Sequence, residues 1–170
     1  MNWVSTEHSI IGQADLYAVL SMDGRKLLLP QNEVCSLEPV VDINKQAKLP
    51  GTVGWIEFQD LQCSVYCLGK DLVILAEIAK TKRMCVLLGD GERYLGLVCD
   101  QMETLRHEQL SLHRLPACMQ NPVSPILALA IYREEVGCVT TTTRLATFLA
   151  QSNNNLERSD GDQYCVDTGF

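Results

Sequence analysis

The alternation of apolar and polar positions from Ala14 onward predicts a mainly β protein built from hairpins. Asp-Gly at 23–24 separates two apolar segments, and this pair readily adopts the left-handed backbone of a type I′ turn. Gly-Asp-Gly at 89–91 repeats the device further along the chain. Three strand pairs are therefore predicted, at 17–22 with 25–29, at 84–88 with 92–99 and at 126–132 with 136–140.

Residues 61–68 predict a further strand with one buried face. Small apolar residues occupy the odd positions of this segment, and mostly polar or amphipathic ones occupy the even positions. Between the second and third hairpins, Pro116, Pro122 and Pro125 predict an irregular loop, because proline is excluded from the interior of helices and central strands.

Residues 71–80 have helical character. Asp71 is placed to cap a helix over 72–80, a segment rich in Leu, Ile, Ala, Glu and Lys. The many apolar residues there also fit a buried strand, so the sequence leaves both structures open.

The C-terminal part of the chain predicts an amphipathic helix followed by a tail. Thr142 is placed to cap a helix over 143–151. The apolar face of this helix consists of Leu145, Phe148 and Leu149. From 152 the sequence becomes polar, and 152–170 is predicted to be a disordered acidic tail.

A weak internal repeat suggests two similar β subdomains. Aligning the Asp-Gly pairs at 23–24 and 90–91 also aligns Val19-Leu20 with Val86-Leu87. The length of 170 residues is compatible with one domain or with two small subdomains that share a core.

The charge balance argues against nucleic acid and anionic membrane as partners. The chain carries 14 Lys and Arg against 21 Asp and Glu, a net charge of −7, whereas those partners select basic surfaces. No apolar run approaches the roughly 18 residues of a membrane helix. Residues 1–12 include Glu7 and lack the apolar stretch of a signal peptide. We therefore expect a cytoplasmic protein with no direct membrane insertion.

Eight cysteines are the unusual feature of the composition. Cys63 and Cys67 would share a face of the predicted strand but lie about 13 Å apart, which one zinc ion cannot span. No Cys-x-x-Cys occurs, so we predict no metal site and interpret most of these cysteines as small apolar side chains of a reduced core. The rival hypothesis is a thiol enzyme or redox sensor with Cys118 and His113 as its pair.

Two aromatic residues stand beside a short polar turn. Trp55 and Phe58 precede Gln59-Asp60, which leads into the strand at 61–68. Exposed aromatic residues near a turn often anchor an interface, but both could equally be core residues of the flanking strands.

Five short motifs, in this order and spacing, resemble the CheW family, scaffold proteins that couple chemoreceptors to the histidine kinase CheA. The matching segments are Leu-Leu-Pro at 28–30, Val-Cys-Ser-Leu-Glu at 34–38, Leu-Pro at 49–50, Gly-Trp-Ile-Glu-Phe-Gln-Asp at 54–60 and Gly-Leu-Val-Cys-Asp at 96–100. Each motif is weak alone, and their order and spacing give the resemblance its strength, which extends over roughly 15–150.

The resemblance implies two five-stranded SH3-like barrels around a common core, with a short C-terminal helix. It places a CheW-like domain at 14–151, with barrel subdomains at about 25–80 and 81–151 and an N-terminal strand that the two can share. It also implies a non-enzymatic adaptor without a cofactor. Its expected partners are the regulatory domain of a CheA-like histidine kinase and the cytoplasmic tip of a methyl-accepting chemoreceptor.

The resemblance further implies which residues contact partners. These are Val34, Leu37, Trp55, Glu57, Phe58, Gln59 and Asp60. The family carries Asn-Leu-Arg-Gly where this chain has Glu-Phe-Gln-Asp at 57–60, so an arginine is missing and acidic groups are added. Divergent members of this kind occur in type IV pilus and twitching systems, which suggests such a role. A third hypothesis is a small-molecule sensor that uses the groove between the barrels.

Overall fold

Twelve β-strands and one α-helix make up residues 13–161, the part of the chain that the computed structural model describes, with side chains as far as Leu156. The strands are β1 (Leu16–Met22), β2 (Arg25–Pro30), β3 (Val34–Pro39), β4 (Gly54–Phe58), β5 (Leu61–Leu68), β6 (Ile74–Leu75), β7 (Met84–Gly89), β8 (Tyr94–Cys99), β9 (Gln101–Arg106), β10 (Ser111–Arg114), β11 (Ala128–Tyr132) and β12 (Glu135–Val139). The helix α1 spans Thr142–Gly161. The prediction of a mainly β protein is confirmed.

The strands form two curled sheets with the same pattern of strand directions. Sheet A has the order β10-β11-β12-β2-β1-β9, and sheet B has the order β3-β7-β8-β5-β4, with β6 added to β5. In both sheets a central antiparallel hairpin, β1–β2 or β7–β8, pairs in parallel with the second strand of another hairpin, β11–β12 or β4–β5. The two halves of the molecule therefore repeat one topology.

The strands do not divide at residue 80, where the sequence predicts the boundary between barrel subdomains 25–80 and 81–151. All strands from β3 to β8 belong to sheet B, and they lie between two parts of sheet A in the sequence. The β1–β2 hairpin completes the sheet of β9–β12, because β2 pairs with β12 and β1 with β9. The sequence repeat could not show this interleaving, since it reports similar hairpins and not their partners.

The sequence alignment of the two hairpins, which matches Val19-Leu20 with Val86-Leu87, is one residue out of phase with the faces of the two sheets. Val19 faces the concave side of sheet A, where it packs with Leu28 and Val139. Val86, which the alignment places opposite Val19, faces the core between the two sheets. A shift by one residue moves a strand's side chains to the other face, so the hairpins are equivalent but the aligned residues are not.

Three apolar clusters hold the fold together. The inter-sheet core joins Leu20 and Leu29 of sheet A, Leu68 and Leu97 of sheet B, and Leu145 and Leu149 of α1. Each sheet also fills its own concave side, sheet A with residues such as Tyr17, Val19 and Leu28, and sheet B with residues such as Ile56, Cys63 and Val65. In β5 the predicted alternation holds at Cys63, Val65 and Cys67, all of which are buried.

Three hairpins use two-residue turns with left-handed backbone at both positions. Asp23-Gly24 follows the predicted pattern, with φ values of 49° and 81°. Gln59-Asp60 and Arg133-Glu134 adopt the same conformation without glycine. The β7–β8 loop is longer than predicted, because Asp90 accepts hydrogen bonds from the backbone of Glu92 and Arg93 and β8 begins only at Tyr94.

The predicted helix over 72–80 is wrong, and the alternative of a buried strand is closer to the structure. Leu72 has left-handed backbone, with φ of 59°, which ends any helix at that point. The short strand β6 then pairs with β5. Leu72 and Ile74 pack against the inter-sheet core, whereas Leu75 packs on the concave side of sheet B. Burial on two sides explains the apolar composition.

The helix α1 begins one residue earlier than predicted and continues ten residues further. Thr141, not Thr142, accepts the capping bond from the backbone of Arg144. The Glu33 carboxylate accepts a 2.6 Å bond from the Thr142 amide, which places a negative charge at the positive end of the helix. Burial raises the pKa of Glu33, while its bonds to Thr142 act to lower it.

The polar stretch after Gln151, predicted to be disordered, is helical as far as Gly161. Ser152 donates to the carbonyl of Phe148, and the Asn153 amide donates to the Tyr66 hydroxyl on sheet B. These contacts replace the apolar anchors that the sequence lacks. Residues 162–170 lie outside the described part of the chain. Among the described residues, no helix has the length and apolar content needed to cross a membrane.

Candidate functional site

A β-bulge in β3 places Val34 and Leu37 on the same face of sheet B. Val34 pairs with Leu88 and Leu37 with Val86, and the register shifts between 34 and 36. Residues three apart on a regular strand point to opposite faces, so the bulge is what unites them. Val34 packs against the inter-sheet core, whereas Leu37 is 46% exposed.

The same bulge explains why Cys35 is exposed, although its apolar neighbours predict a buried thiol. The extra residue in the strand turns away from the face that its neighbours share.

The β4–β5 hairpin separates its predicted contact residues onto two faces. Trp55 and Glu57 point outward, opposite Ser64 and Gln62 of β5. The Trp55 ring is half-buried, and the Lys48 ammonium lies 4.8 Å from its centroid. Trp55 is thus neither fully exposed nor fully buried, and its role as an interface anchor stays a prediction.

Phe58 takes the opposite side of the hairpin. It packs on the concave side of sheet B, where its ring lies 5.6 Å from that of Tyr94. Gln59 and Asp60 form the exposed turn itself. Phe58 is thus mainly a core residue, and the surface of the hairpin is made by its neighbours.

Leu37 and the Trp55–Glu57 pair lie on one face of sheet B but on its two opposite flanks. They belong to β3 and β4, the first and last strands of the sheet order. The strands between them, β7, β8 and β5, supply Val86, Leu97 and Leu68 to the inter-sheet core beneath sheet A and α1. The predicted residues therefore make two separate surfaces, which we call the β3 flank (Val34 and Leu37) and the β4 flank (Trp55, Glu57, Gln59 and Asp60).

A cleft of about 460 Å³ opens between α1 and sheet B next to the β4 flank. Ser64, the register partner of Trp55, belongs to its lining. Its other lining residues are Leu49, Pro50, Tyr66, Arg93, Tyr94, Leu95, Ala146, Leu149, Ala150, Asn153 and Asn154. The lining is mostly apolar with a few polar groups, the composition of a recognition site. The buried Oδ1 of Asn153 accepts no hydrogen bond.

Sequence reasoning missed this cleft because its walls come from distant segments. Leu49 and Pro50 precede β4, whereas Asn153 and Asn154 fall in the stretch predicted to be disordered. One signal was present: Ala146 and Ala150 are four residues apart, so small side chains leave room along one face of the helix.

The buried cysteines are held as neutral thiols. Burial raises the pKa of Cys85 and of Cys99 to about 12, with nearby thiol or carboxyl groups acting in the same direction. Burial likewise raises the pKa of Cys63 and Cys67. A reactive cysteine needs a lowered pKa, so these four are unsuited to nucleophilic or redox chemistry.

The proposed thiol pair is not assembled in the described part of the chain. A ring nitrogen of His113 shares a 2.9 Å hydrogen bond with the Ser111 hydroxyl, and Cys118 lies exposed in the 3₁₀ turn at 117–119. No group of three or more His, Cys, Asp or Glu side chains there could hold a metal ion.

Replacing Asp60 with glycine is expected to stabilise the protein by about 1 kcal/mol, because left-handed backbone strains a residue with a side chain. Urea denaturation would measure this gain. Asp60→Ala is the matched control: it removes the same carboxylate but keeps the strain, so its stability should not rise. Equal stability of the two variants would show that charge, not backbone conformation, governs this turn.

Two curled sheets of repeated topology, packed about a shared core with one C-terminal helix, are the fold of CheW-like scaffold proteins. Among solved structures the chain is similar to the scaffolding protein TtCheW from Thermoanaerobacter tengcongensis. The match covers 76% of this chain and 90% of that chain, with a TM-score of 0.58 and 15% sequence identity. The sequence matches no protein-family model, and no curated protein is significantly similar to it.

Proposed function

We propose that this protein is a non-enzymatic, cytoplasmic adaptor that couples a CheA-type histidine kinase to chemoreceptors. The observation that carries the proposal is the placement of candidate contact residues on two flanks of sheet B, separated by strands that are covered. An adaptor needs two surfaces that partners can occupy at once. The likeness of the fold to a solved scaffolding protein supports the same role.

The β3 flank offers an apolar contact to one partner. Leu37 is the exposed aliphatic side chain at its centre, and Val34 continues from it into the core. Apolar area removed from water contributes about 25 cal/mol per Å². A partner with an apolar ridge of its own would fit this flank.

The β4 flank offers a mixed contact to the second partner. It combines the half-buried Trp55 ring with the exposed carboxylates of Glu57 and Asp60, and the apolar cleft lies next to it. Acidic groups at a rim favour a partner with basic groups and disfavour an acidic one. We infer that this partner carries cationic residues where it meets the turn. Such an altered partner would fit a specialised chemosensory system, such as those that control type IV pili and twitching motility.

Binding of the purified protein to the two partners would test the proposal. Leu37→Asp should weaken binding of either the kinase regulatory domain or the receptor tip at least tenfold and leave the other partner within about twofold. Glu57→Arg should weaken binding of the other partner, the one that Leu37→Asp leaves unchanged. Calorimetric titration of each pair measures both affinities.

The matched control is Val136→Asp, which places the same charge on an exposed aliphatic residue of sheet A. It should leave both affinities unchanged. Val34 and Phe58 are poor choices for such tests because both pack into cores, so charges there would disturb folding. If Leu37→Asp and Glu57→Arg weaken the same partner equally, or if only Val136→Asp weakens binding, the two-flank assignment is wrong.

A further inference from the structure

The concave side of sheet A changes from apolar to charged at one end. Val19 and Leu28 form a register pair inside the sheet, and the next pair along the strands on that face is Ser21 with Lys26. Across β9, Ser21 also pairs with Gln101 and Val19 with Glu103. Polar and charged side chains therefore cover the core of this sheet at the end where the β1–β2 and β11–β12 turns lie.

These residues enclose a cavity of about 220 Å³, which we call the Tyr132 cavity. It is lined by Ser21, Lys26, Gln101, Met102, Glu103, Tyr132, Arg133 and Glu135. The volume equals about seven water molecules at roughly 30 Å³ each. A molecule of amino-acid size would fill it.

Among the residues that line this cavity, Tyr132 carries a hydroxyl group without a hydrogen-bond partner. The residue is 3% exposed, its ring packs in the concave core of sheet A, and its hydroxyl makes no hydrogen bond. A buried hydroxyl without a partner costs about 1–3 kcal/mol. Burial, with Glu135 and then Glu103 acting in the same direction, raises the pKa of Tyr132 to about 12, so the phenol keeps its proton.

Sheet B shows what this end of a sheet looks like when it is closed. Phe58 occupies the position of Tyr132, immediately before the two-residue turn, and its ring packs against Tyr94. The equivalent end of sheet A carries a tyrosine and charged groups instead of two aromatic rings in contact. Apolar side chains close this end in sheet B. In sheet A a polar cavity lies at the equivalent end.

The charged side chains around the cavity balance one another, two cationic and two anionic. Lys26 bonds to Ser21 on one side, at 2.7 Å, and Arg133 pairs with Glu103 at 3.2 Å. Glu135 forms no ion pair with any described residue, and it is the register partner of Tyr132 in the β11–β12 hairpin. Two cationic and two anionic groups favour a ligand with no net charge that carries one group of each sign.

We propose that the Tyr132 cavity binds a small zwitterion of the α-amino acid class. The ligand's ammonium group donates to the Tyr132 hydroxyl and to Glu135. Its carboxylate accepts from Lys26, with Arg133 at the rim. This site lies on the other sheet from the two adaptor flanks, and its assignment does not rest on the adaptor proposal.

Titration of the ¹⁵N-labelled protein with glycine, L-alanine and L-serine tests the proposal. We expect saturable amide shifts at residues 21, 101–103 and 132–135, with dissociation constants in the millimolar range, as ligands of few atoms allow. Acetate and methylamine each carry one half of the zwitterion, and both should bind at least tenfold more weakly.

Tyr132→Phe should weaken glycine binding at least fivefold while preserving the ring and the circular dichroism spectrum. Tyr94→Phe, at the corresponding end of sheet B, is the matched control and should bind like the natural protein. The assignment is overturned if none of the three amino acids gives saturable shifts, which would leave a water-filled cavity. Equal binding by Tyr132→Phe, or methylamine binding as tight as that of glycine, would overturn it too.

Discussion

Replacing Gly54 with alanine is expected to destabilise the protein by about 3 kcal/mol or more. A Cβ atom at this position would lie 2.2 Å from the backbone oxygen of Asn44 and 2.8 Å from the Ile43 side chain. The first of these atoms cannot rotate away, because it belongs to the main chain. Either the two segments separate or β4 bends.

The contact matters because it closes sheet B. Asn44 and Trp55 exchange two backbone hydrogen bonds of 2.9 Å, which join the segment after β3 to β4 across the open side of the sheet. Separating the segments would lose both bonds, at about 1 kcal/mol each, and loosen the packing of Ile43. The β4 flank would lose its support at Trp55, so weaker partner binding is expected together with lower stability.

Thermal or urea denaturation would measure the change, with Gly69→Ala as the matched control. A Cβ atom at Gly69 would meet only the Leu75 side chain, at an ordinary 3.4 Å, so this variant should stay within about 0.5 kcal/mol of the natural protein. For a domain of this size, the expected loss at Gly54 lowers Tm by about 6–12 °C. Equal stability of the two variants would mean that Asn44 and β4 can move apart freely.

Local patterns predicted the hairpins because each hairpin is decided by a few neighbouring residues. Asp23-Gly24 supplies the left-handed turn, and the apolar positions on either side set the register of β1 and β2. The apolar face of α1 was equally readable, since Leu145 and Leu149 are spaced for a helix and both are buried.

Long-range pairing decided the features that the sequence did not predict. The segment at 72–80 has the composition of a helix, but β5 offers it a strand partner and two cores accept its side chains. Similarly, Asn153 extends α1 through a bond to Tyr66, which is 87 residues away in the sequence. Tertiary contacts of this kind override local preference, and no short window contains them.

The candidate site was predicted in part for the same reason. The motif at 54–60 located the β4 flank, because its residues are contiguous in the sequence. The bulge at Cys35, which unites Val34 with Leu37, depends on pairing with β7 and leaves no local signal. The Tyr132 cavity is lined by residues of five strands and one turn, so it could be recognised only once the register of sheet A was known.

The buried ion pairs of Lys82 make a second large contribution to the stability of the protein, and a single substitution can measure it. Its side chain is 1% exposed, and its ammonium group lies 2.8 Å from Asp23 and 3.1 Å from Asp100. Asp23 belongs to the β1–β2 turn of sheet A and Asp100 joins β8 to β9, so the ion pairs tie the two sheets together. The Asp100 carboxylate also accepts a bond from the Asp23 amide.

Lys82→Met is expected to destabilise the protein by about 2–4 kcal/mol at neutral pH. Removing one partner of a buried ion pair leaves the opposite charges uncompensated, although Asp23 and Asp100 are partly exposed and water offsets some of the loss. Arg25→Ala is the matched control. It breaks the ion pair with Asp71, in which both side chains are exposed, and should cost less than about 1 kcal/mol.

The pH dependence separates the charge of Lys82 from its packing. Burial acts to lower the pKa of Lys82, but the hydrogen bonds to Asp23 and Asp100 outweigh it and raise that pKa above its ordinary value. A cationic group whose pKa is raised by folding stabilises the protein fully below the unfolded pKa of about 10.4, and this contribution is lost as pH rises through the folded pKa. The difference in unfolding free energy between the natural protein and Lys82→Met should therefore be constant from pH 7 to 9 and shrink above about pH 10.5. A difference that stays constant into that alkaline range would assign the effect to packing of the Lys82 side chain and not to its charge.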